Sequence, residues 1–263
     1  MASRERNRIQ VKLGPHAPYT CPPDYLKRVT DMASEIGLGL NIHIAETAVE
    51  RENIIDQYGL TPVKHLESCG IFQRPVVAAH CVHVDEEDIA ILRKYQVGVV
   101  HNPESNMKLA SGIAPVPEML SAGIPVALGT DGASSNNNLD MLQEMRTCAF
   151  LHKVNKMNPT VIPAYQALQM ATRNGGIALG LEQEIGELRP GMKADLVLMN
   201  LNAAHMIPRY DIVANIVYAA QASDMETVII DGTIVMEDRR ILTFDETEVL
   251  EQAKKAAARL ANS

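Results

Sequence analysis

The chain has 263 residues, of which 46% are hydrophobic and 21% charged, as in a globular protein of one large domain or slightly more. Its net charge of −8 argues against nucleic acid or an anionic membrane as a partner, because both attract basic surfaces. No apolar run approaches the roughly 20 residues that a membrane-spanning helix needs.

Cysteine usage and the first residues indicate the cellular compartment. The four cysteines are widely spaced and form no CxxC pair, so free thiols in a reducing cytoplasm are the simplest interpretation. The opening residues are charged and lack the apolar segment of a secretory signal. We therefore expect a cytoplasmic protein.

Short, continuously apolar runs alternate with longer helical patterns through the first two thirds of the chain, which is typical of βα units with a buried parallel sheet. The predicted strands are 9–13, 38–44, 75–81, 96–101 and 124–130. The predicted helices are 23–36, 47–58, 61–69, 85–95, 113–122, 139–153 and 163–180. Residues 1–184 are therefore expected to form one α/β domain.

The pattern changes after about residue 185. Residues 186–199 are predicted to form a turn and a strand, and residues 227–236 a hairpin around an Asp-Gly pair, the strongest short hairpin signal. A charged, alanine-rich helix is predicted at 245–261. Residues 185–263 are therefore expected to form a small β-rich unit with a terminal helix.

Three predicted strands end in an imidazole or a carboxylate, at His43, His80 and Asp131. Polar side chains at the carboxyl ends of successive strands are how a (β/α) barrel builds a metal-dependent active site. Glu46 follows His43 by three residues and would project from the same rim, in position for proton transfer. His16 follows the first predicted strand between two prolines, either in an ordinary rigid loop or as a substrate contact at this rim.

Structural interpretations compete with these functional ones. A single histidine at a strand end is more often a hydrogen-bonded structural residue. Asp131 could cap a helix, although Asn137 and Asn138 lie closer to the next predicted helix. His83 is expected to be a satisfied loop histidine, whereas His101 suits a substrate contact and a tight turn equally well.

Taken together and in order, these residues resemble the metal-dependent amidohydrolase superfamily. The branch they resemble is that of the 5-methylthioadenosine/S-adenosylhomocysteine deaminases, close to the triazine hydrolases. The matching segments are 14–21 (GPHAPYTC), 43–47 (HIAET), 79–83 (AHCVH), 101–116 (HNPESNMKLASGIAPV), 129–137 (GTDGASSNN) and 188–197 (LRPGMKADLV). They cover nearly the whole chain.

The resemblance implies hydrolytic deamination of a purine nucleoside such as 5-methylthioadenosine, S-adenosylhomocysteine or adenosine, with release of ammonia. His43 and Asp131 would hold one divalent metal, zinc in the first instance, with iron or manganese as alternatives. Asp131 would also take a proton from the attacking water, and His80 would orient or polarise that water. Glu46 would carry a proton to a ring nitrogen of the substrate and, with His16, contact the substrate.

The chain departs from the family pattern at its beginning. Family members start with a β-rich segment and a first barrel strand bearing a His-x-His metal pair, and this sequence contains no such pair. The resemblance therefore implies a partial TIM (β/α) barrel, about strands 4–8, followed by the C-terminal strands of a small β-sandwich domain. Two metal ligands are too few for a tight catalytic site.

Three explanations remain open for this departure. The chain is the C-terminal part of a longer enzyme, it is completed by a separate N-terminal segment or by its own oligomer, or it is an inactive remnant that associates with a partner chain. The first is favoured, because the active-site residues are retained. A chain that had long ceased to be a catalyst could have lost any of them. Within the superfamily, a guanine deaminase or a triazine hydrolase is the alternative activity.

Overall fold

The computed structural model describes residues 9–261, and the chain divides into two compact units, Met1–Gln183 and Glu184–Ser263. This division adjoins the predicted domain boundary between residues 184 and 185. The ends of the two predicted domains, residues 1–8 and 262–263, lie outside the described residues.

A parallel sheet of four strands in sequential order forms the centre of the first unit. The strands are β1 (Leu40–Ile44), β2 (Val76–His80), β3 (Gly98–His101) and β4 (Ala127–Leu128). Because neighbouring strands pair in parallel, with Ile44 opposite His80 and His101 opposite Leu128, their carboxyl ends lie along one edge of the sheet. Over the described residues β4 does not pair with β1, so the sheet is open rather than a closed barrel.

Helices connect these strands, as the sequence predicted. They are α1 (Pro23–Ile36), α2 (Ala48–Tyr58), α3 (Pro62–Ser68), α4 (Glu86–Lys94), α5 (Pro103–Lys108), α6 (Val116–Ser121), α7 (Ala133–Asn136), α8 (Met141–Lys156), α9 (Ala164–Ala171) and α10 (Arg173–Leu179). The acidic start predicted for α4 forms a capping box, in which Asp85 and Asp88 each accept a hydrogen bond from the other's backbone N–H. The short helices α5 and α7 were not predicted.

The predicted first strand, 9–13, is wrong in extent, because only Leu13 makes a bridge, to Leu40 of β1. Leu13 exchanges backbone hydrogen bonds with Gly39 (3.0 Å) and Asn41 (2.9 Å). Ile9 and Val11 are 81% and 61% exposed. Without burial the alternating apolar residues have nothing to pack against, so apolar content alone does not produce a strand.

Two further predictions are corrected. The strand predicted at 124–130 is reduced to β4, because the backbone N–H of Val126 donates to Ile124 and its carbonyl accepts from the Asn174 amide, which occupies the groups a longer ladder would use. The helix predicted at 163–180 breaks at Thr172 (φ −129°, ψ −91°), whose hydroxyl donates to the Leu168 carbonyl.

The core of the first unit is aliphatic. Side chains that are at most 1% exposed come from the sheet and from the helices that pack on it, among them Leu26, Leu40, Ile42 and Leu66. Burying each such side chain contributes about 1.5–3 kcal/mol. Gly98 allows α10 to approach β3, because a Cβ there would lie 2.4 Å from the carbonyl oxygen of Ala178.

The second unit contains an antiparallel sheet of four strands in sequential order. Its elements are β5 (Leu196–Met199), α11 (Ile212–Tyr218), β6 (Met225–Ile230), β7 (Thr233–Glu237), β8 (Arg240–Ile241) and α12 (Glu246–Ala261). The predicted hairpin around Asp231 and Gly232 is confirmed, and both residues have the positive φ (48° and 76°) that a tight two-residue turn requires. In the described part of the chain, no helix is long and apolar enough to cross a membrane.

Candidate metal centre

Three side chains predicted from strand ends meet at the carboxyl edge of the parallel sheet. One ligand atom each from His43, His80 and Asp131 lies within 4.8 Å of the others. His43 is on β1, His80 ends β2, and Asp131 follows β4 by three residues. The family resemblance implied only His43 and Asp131 as ligands, with His80 orienting the water, whereas the geometry brings all three side chains into ligand range.

His43 is held by the loop that precedes α1. The carbonyl of His16 accepts hydrogen bonds from both the backbone N–H (3.1 Å) and the ring Nδ1 (2.7 Å) of His43. With Nδ1 carrying the proton for this bond, the Nε2 lone pair is available. Metal-binding histidines usually have their second nitrogen tied to a carbonyl or carboxylate in this way.

His80 is 1% exposed, and its ring centroid lies 5.4 Å from that of His43. Its Nδ1 is 2.9 Å from Asn106 Oδ1, and its Nε2 is 3.9 Å from Glu46 Oε2. Its φ of 73° is in the left-handed region, as is that of Asp131 (61°). Such backbone costs on the order of 1 kcal/mol or more for residues other than glycine, and it is concentrated at functional sites.

Asp131 is an ionised acceptor with two fixed hydrogen bonds. Ser105 Oγ donates to Oδ2 (2.7 Å) and the Gly132 N–H donates to Oδ1 (2.7 Å). Burial raises the pKa of Asp131, but these hydrogen bonds and the neighbouring imidazoles outweigh it and hold the pKa below its usual value. A carboxylate in this state is suited to binding a cation.

The alternative reading of this segment as a helix cap is wrong in detail. The backbone of Gly132 precedes α7, and no side chain caps that helix. The longer helix α8 is capped by Asp140, which accepts from the N–H groups of Leu142 (2.9 Å) and Gln143 (3.3 Å), and not by Asn137 or Asn138. Asp131 is thus free of a capping role.

Glu46 lies beside this group on the loop after β1. A buried carboxylate that sequence reasoning missed, Glu50 of α2, accepts from the N–H groups of Ala45 (2.9 Å) and Glu46 (2.8 Å) and so fixes this loop. Burial raises the pKa of Glu50, although these hydrogen bonds oppose the rise. The Glu46 carboxylate itself is 20% exposed, with Ser111 Oγ at 3.4 Å from Oε1.

His16 is exposed and borders the same group. Its ring centroid lies 5.0 Å from that of His43, in an edge-on arrangement, and its Nδ1 is 2.8 Å from Thr20 Oγ1. The ring of Tyr19 lies 5.8 Å away. A polar, accessible ring at this position is able to contact a ligand bound near His43.

The remaining two histidines in question have structural partners. Nε2 of His83 lies 2.7 Å from the Ser111 carbonyl, as expected for a satisfied loop histidine. His101 is fully buried, and its Nε2 lies 3.2 Å from that of His152 on α8, so it does not reach the rim as a substrate contact.

His101, His152 and Cys148 form a second cluster of possible metal ligands, entirely buried. Burial lowers the pKa of His152 to about 4 and raises that of Cys148 to about 12, so the imidazole is neutral and the thiol protonated at neutral pH. Since the two rings share a hydrogen bond and none of the three residues is exposed, this cluster is a packed interface between β3 and α8.

The donor set at the sheet edge fits a divalent metal. Two imidazoles whose Nδ1 atoms are tied, leaving Nε2 lone pairs, and one ionised carboxylate are the ligand types that zinc prefers. Sequence reasoning found these three residues but missed their supports, Ser105 and Asn106, although both stand in the HNPESN segment.

The sequence of the chain is similar to known proteins over most of its length. The model of the amidohydrolase family matches residues 2–235. A protein of Syntrophomonas wolfei named 5-methylthioadenosine/S-adenosylhomocysteine deaminase is 68% identical over 254 residues, which is 96% of this chain and 59% of the relative. The chain thus spans well under two thirds of the length of this relative.

Solved structures agree with the fold. A zinc-bound adenosine deaminase from Xanthomonas campestris superimposes with a TM-score of 0.94 at 33% identity, over 99% of this chain and 60% of that one. An atrazine chlorohydrolase variant from Arthrobacter aurescens TC1, in complex with zinc and atraton, gives a TM-score of 0.87 at 25% identity, over 94% of this chain and 54% of that one. With the family model covering most of its length, the chain belongs to the amidohydrolase family.

Proposed function

We propose that the chain is the C-terminal part of a metal-dependent deaminase that hydrolyses the exocyclic amino group of an adenosine-type nucleoside and releases ammonia. The observation that carries the proposal is the convergence of His43, His80 and Asp131, with the Glu46 carboxylate 3.9 Å from His80. The 68% identity to a relative named as a deaminase of 5-methylthioadenosine and S-adenosylhomocysteine supports these two substrates ahead of adenosine.

His43 and Asp131 would hold one divalent metal; His80 also lies in ligand range but is assigned to the attacking water. Zinc is the leading candidate because a zinc-bound relative shares the fold. When bound, such an ion lowers the pKa of water toward neutrality and supplies the nucleophile. Asp131 would accept a proton from the attacking water and pass it on to the departing amine, since its carboxylate is ionised and fixed by Ser105. His80 would orient that water through Nε2.

Glu46 moves the second proton. Its carboxylate is 20% exposed and so accessible to a ligand, whereas its backbone N–H is bonded to Glu50. Delivery of a proton to a ring nitrogen makes the amino-bearing carbon more electrophilic, and a positioned acid of this kind accelerates such a step by about 10²–10⁴-fold. His16 contacts the nucleoside from the exposed side of His43.

The described site is incomplete as a catalytic site on its own. The chain covers 59% of the length of its deaminase relative. Among the described residues, β4 has no second partner strand, and the other edge of β1 has only the bridge to Leu13. We propose that a complementing N-terminal segment, bearing the His-x-His pair that the family resemblance implies, supplies the missing ligands and closes the barrel.

The test combines metal content with turnover. The purified chain is assayed with 5-methylthioadenosine, S-adenosylhomocysteine and adenosine, alone and together with the N-terminal segment of the Syntrophomonas wolfei relative. Ammonia release and the ultraviolet change on conversion to the inosine are followed. We expect one metal per complex and turnover only when the segment is present.

Other outcomes discriminate between the alternatives. Turnover by the chain alone would mean that a homo-oligomer completes the site. Preference for guanine or a triazine would move the activity elsewhere in the family. Neither metal nor turnover in the presence of the segment would contradict the proposal and favour a non-catalytic protein that associates with a partner chain.

A further inference from the structure

Two asparagine side chains from the HNPESN segment converge on the same nitrogen of His80. Asn106 Oδ1 lies 2.9 Å and Asn102 Nδ2 lies 3.5 Å from His80 Nδ1. Asn106 is 0% exposed, Asn102 3% and His80 1%, so water does not compete for these contacts. The two amides favour opposite tautomers of His80. Asn106 presents an acceptor to Nδ1 and favours a proton on that nitrogen, whereas Asn102 presents a donor and favours an unprotonated Nδ1.

The tautomer decides what His80 can do at the centre. If Nδ1 carries the proton and donates to Asn106, Nε2 has a free lone pair directed toward the side where Glu46 lies. If Nδ1 instead accepts from Asn102, Nε2 carries the proton and cannot act as a ligand or a proton acceptor. The shorter contact, at normal hydrogen-bond length, favours the first arrangement.

Asn106 itself is held by backbone rather than by its side chain. Its N–H donates to the Asn102 carbonyl (3.0 Å), and its carbonyl accepts from the Ser111 N–H (2.8 Å). The start of α5 is anchored to α8, since the Glu104 N–H donates to the buried carboxylate of Glu144 (3.2 Å). The amide is therefore delivered to His80 by a fixed helical turn.

The other end of the amide is unsatisfied. Among the described residues, Asn106 Nδ2 is buried without a hydrogen-bond partner. A buried unpaired donor costs about 1–3 kcal/mol, so a residue without that donor would serve stability better at this position. The single bond from Oδ1 to His80 is the one use of this side chain that the geometry offers.

We propose that Asn106 is a positioning residue that fixes His80 as the Nδ1-protonated tautomer and aims its Nε2 at the metal centre. The catalytic use of this tautomer rests on the proposed function. The tautomer itself is a property of the chain without metal or substrate and can be measured there. The orientation of the His80 ring is thus fixed by α5, the helix that follows the neighbouring strand β3, and not by β2 alone.

The test is long-range proton–nitrogen correlation NMR of the histidine rings in the nitrogen-15-labelled, metal-free chain at about pH 8, where ordinary imidazoles are neutral. The His80 signals are identified by their loss in His80→Gln. We expect a protonated Nδ1 and an unprotonated Nε2 in the wild-type chain. Asn106→Leu should shift His80 to a mixture or to the Nε2-protonated form, and Asn106→Asp, which keeps an acceptor, should restore the wild-type pattern.

Two references accompany the measurement. The His83 ring, bonded to the Ser111 carbonyl, should keep its pattern in all variants. Asn174→Leu removes an amide that donates to Val126 instead and should leave His80 unchanged. An Nε2-protonated His80 in the wild-type chain, or an unchanged ring in Asn106→Leu, would overturn the proposal. Failure of the proposed function would appear separately, as absence of metal and turnover in the complemented chain.

Discussion

Glu144 offers a quantitative test of the electrostatics behind the site. This α8 carboxylate is 0% exposed and accepts from the Glu104 N–H and the Asn136 amide, so it joins α5 and α7 to α8. Burial raises its pKa from 4.5 to about 7, because the hydrogen bonds compensate only part of the lost hydration. The perturbation is Glu144→Gln, which stays neutral at every pH.

The sign and the size of the effect of pH on the free energy of unfolding follow from proton linkage. A raised native pKa means that the stabilisation by protonated Glu144 is complete below pH 4.5 and is lost as the pH rises through about 7. The full difference corresponds to about 3 kcal/mol at 1.36 kcal/mol per pKa unit, and because part of this change falls below pH 5, about 2 kcal/mol is expected between about pH 5 and about pH 8. The free energy of unfolding of the wild type, minus that of Glu144→Gln, should therefore fall by about 2 kcal/mol between about pH 5 and about pH 8.

Urea unfolding followed by circular dichroism measures this difference. The hydrogen bond that glutamine fails to make costs the same at each pH and cancels from the slope. Glu52→Gln, which removes an exposed carboxylate from α2, gives the contribution of net charge alone. Unfolding free energies of wild type and Glu144→Gln that run parallel over the whole pH range would mean that the pKa of Glu144 is not raised in the folded chain.

Three further predictions concern the site and its backbone. In the complemented enzyme, Asp131→Ala should abolish turnover and weaken metal binding, measured by metal content after dialysis; near-normal activity would contradict its role. Glu46→Gln should retain the metal and lower kcat by at least ~10²-fold, the scale of lost acid–base catalysis, whereas metal loss would make it a ligand instead. Gly129→Ala should lower the free energy of unfolding by about 1–3 kcal/mol, because the new Cβ would lie 2.6 Å from Asn102 Oδ1. The control is Gly132→Ala, since a Cβ there meets nothing within 4 Å, and equal effects of the two substitutions would disprove the steric argument.

Much of the parallel sheet follows from local sequence pattern. The runs at β2 and β3 are apolar up to their terminal histidine, and β1 alternates apolar residues with Asn41 and His43, so the existence and the order of these strands could be predicted. The run at 9–13 also alternates but forms one bridge, and the run at 124–130, apolar over 126–128, forms a two-residue strand. At 9–13 the apolar side chains are exposed, and at 124–130 other groups take the backbone hydrogen bonds that a longer strand would need. Neither fact can be deduced from the residues of the two runs alone.

The chemistry that is present could be predicted from the sequence: imidazoles at His43 and His80 and a carboxylate at Asp131, each near the end of a predicted strand, together with a family pattern. How these groups are held depends on the packing of the folded chain. Ser105 reaches Asp131, and Asn106 reaches His80, across 26 residues of chain in each case. Such contacts depend on the packing of neighbouring strands and loops, which bring together residues whose local sequences carry no sign of each other.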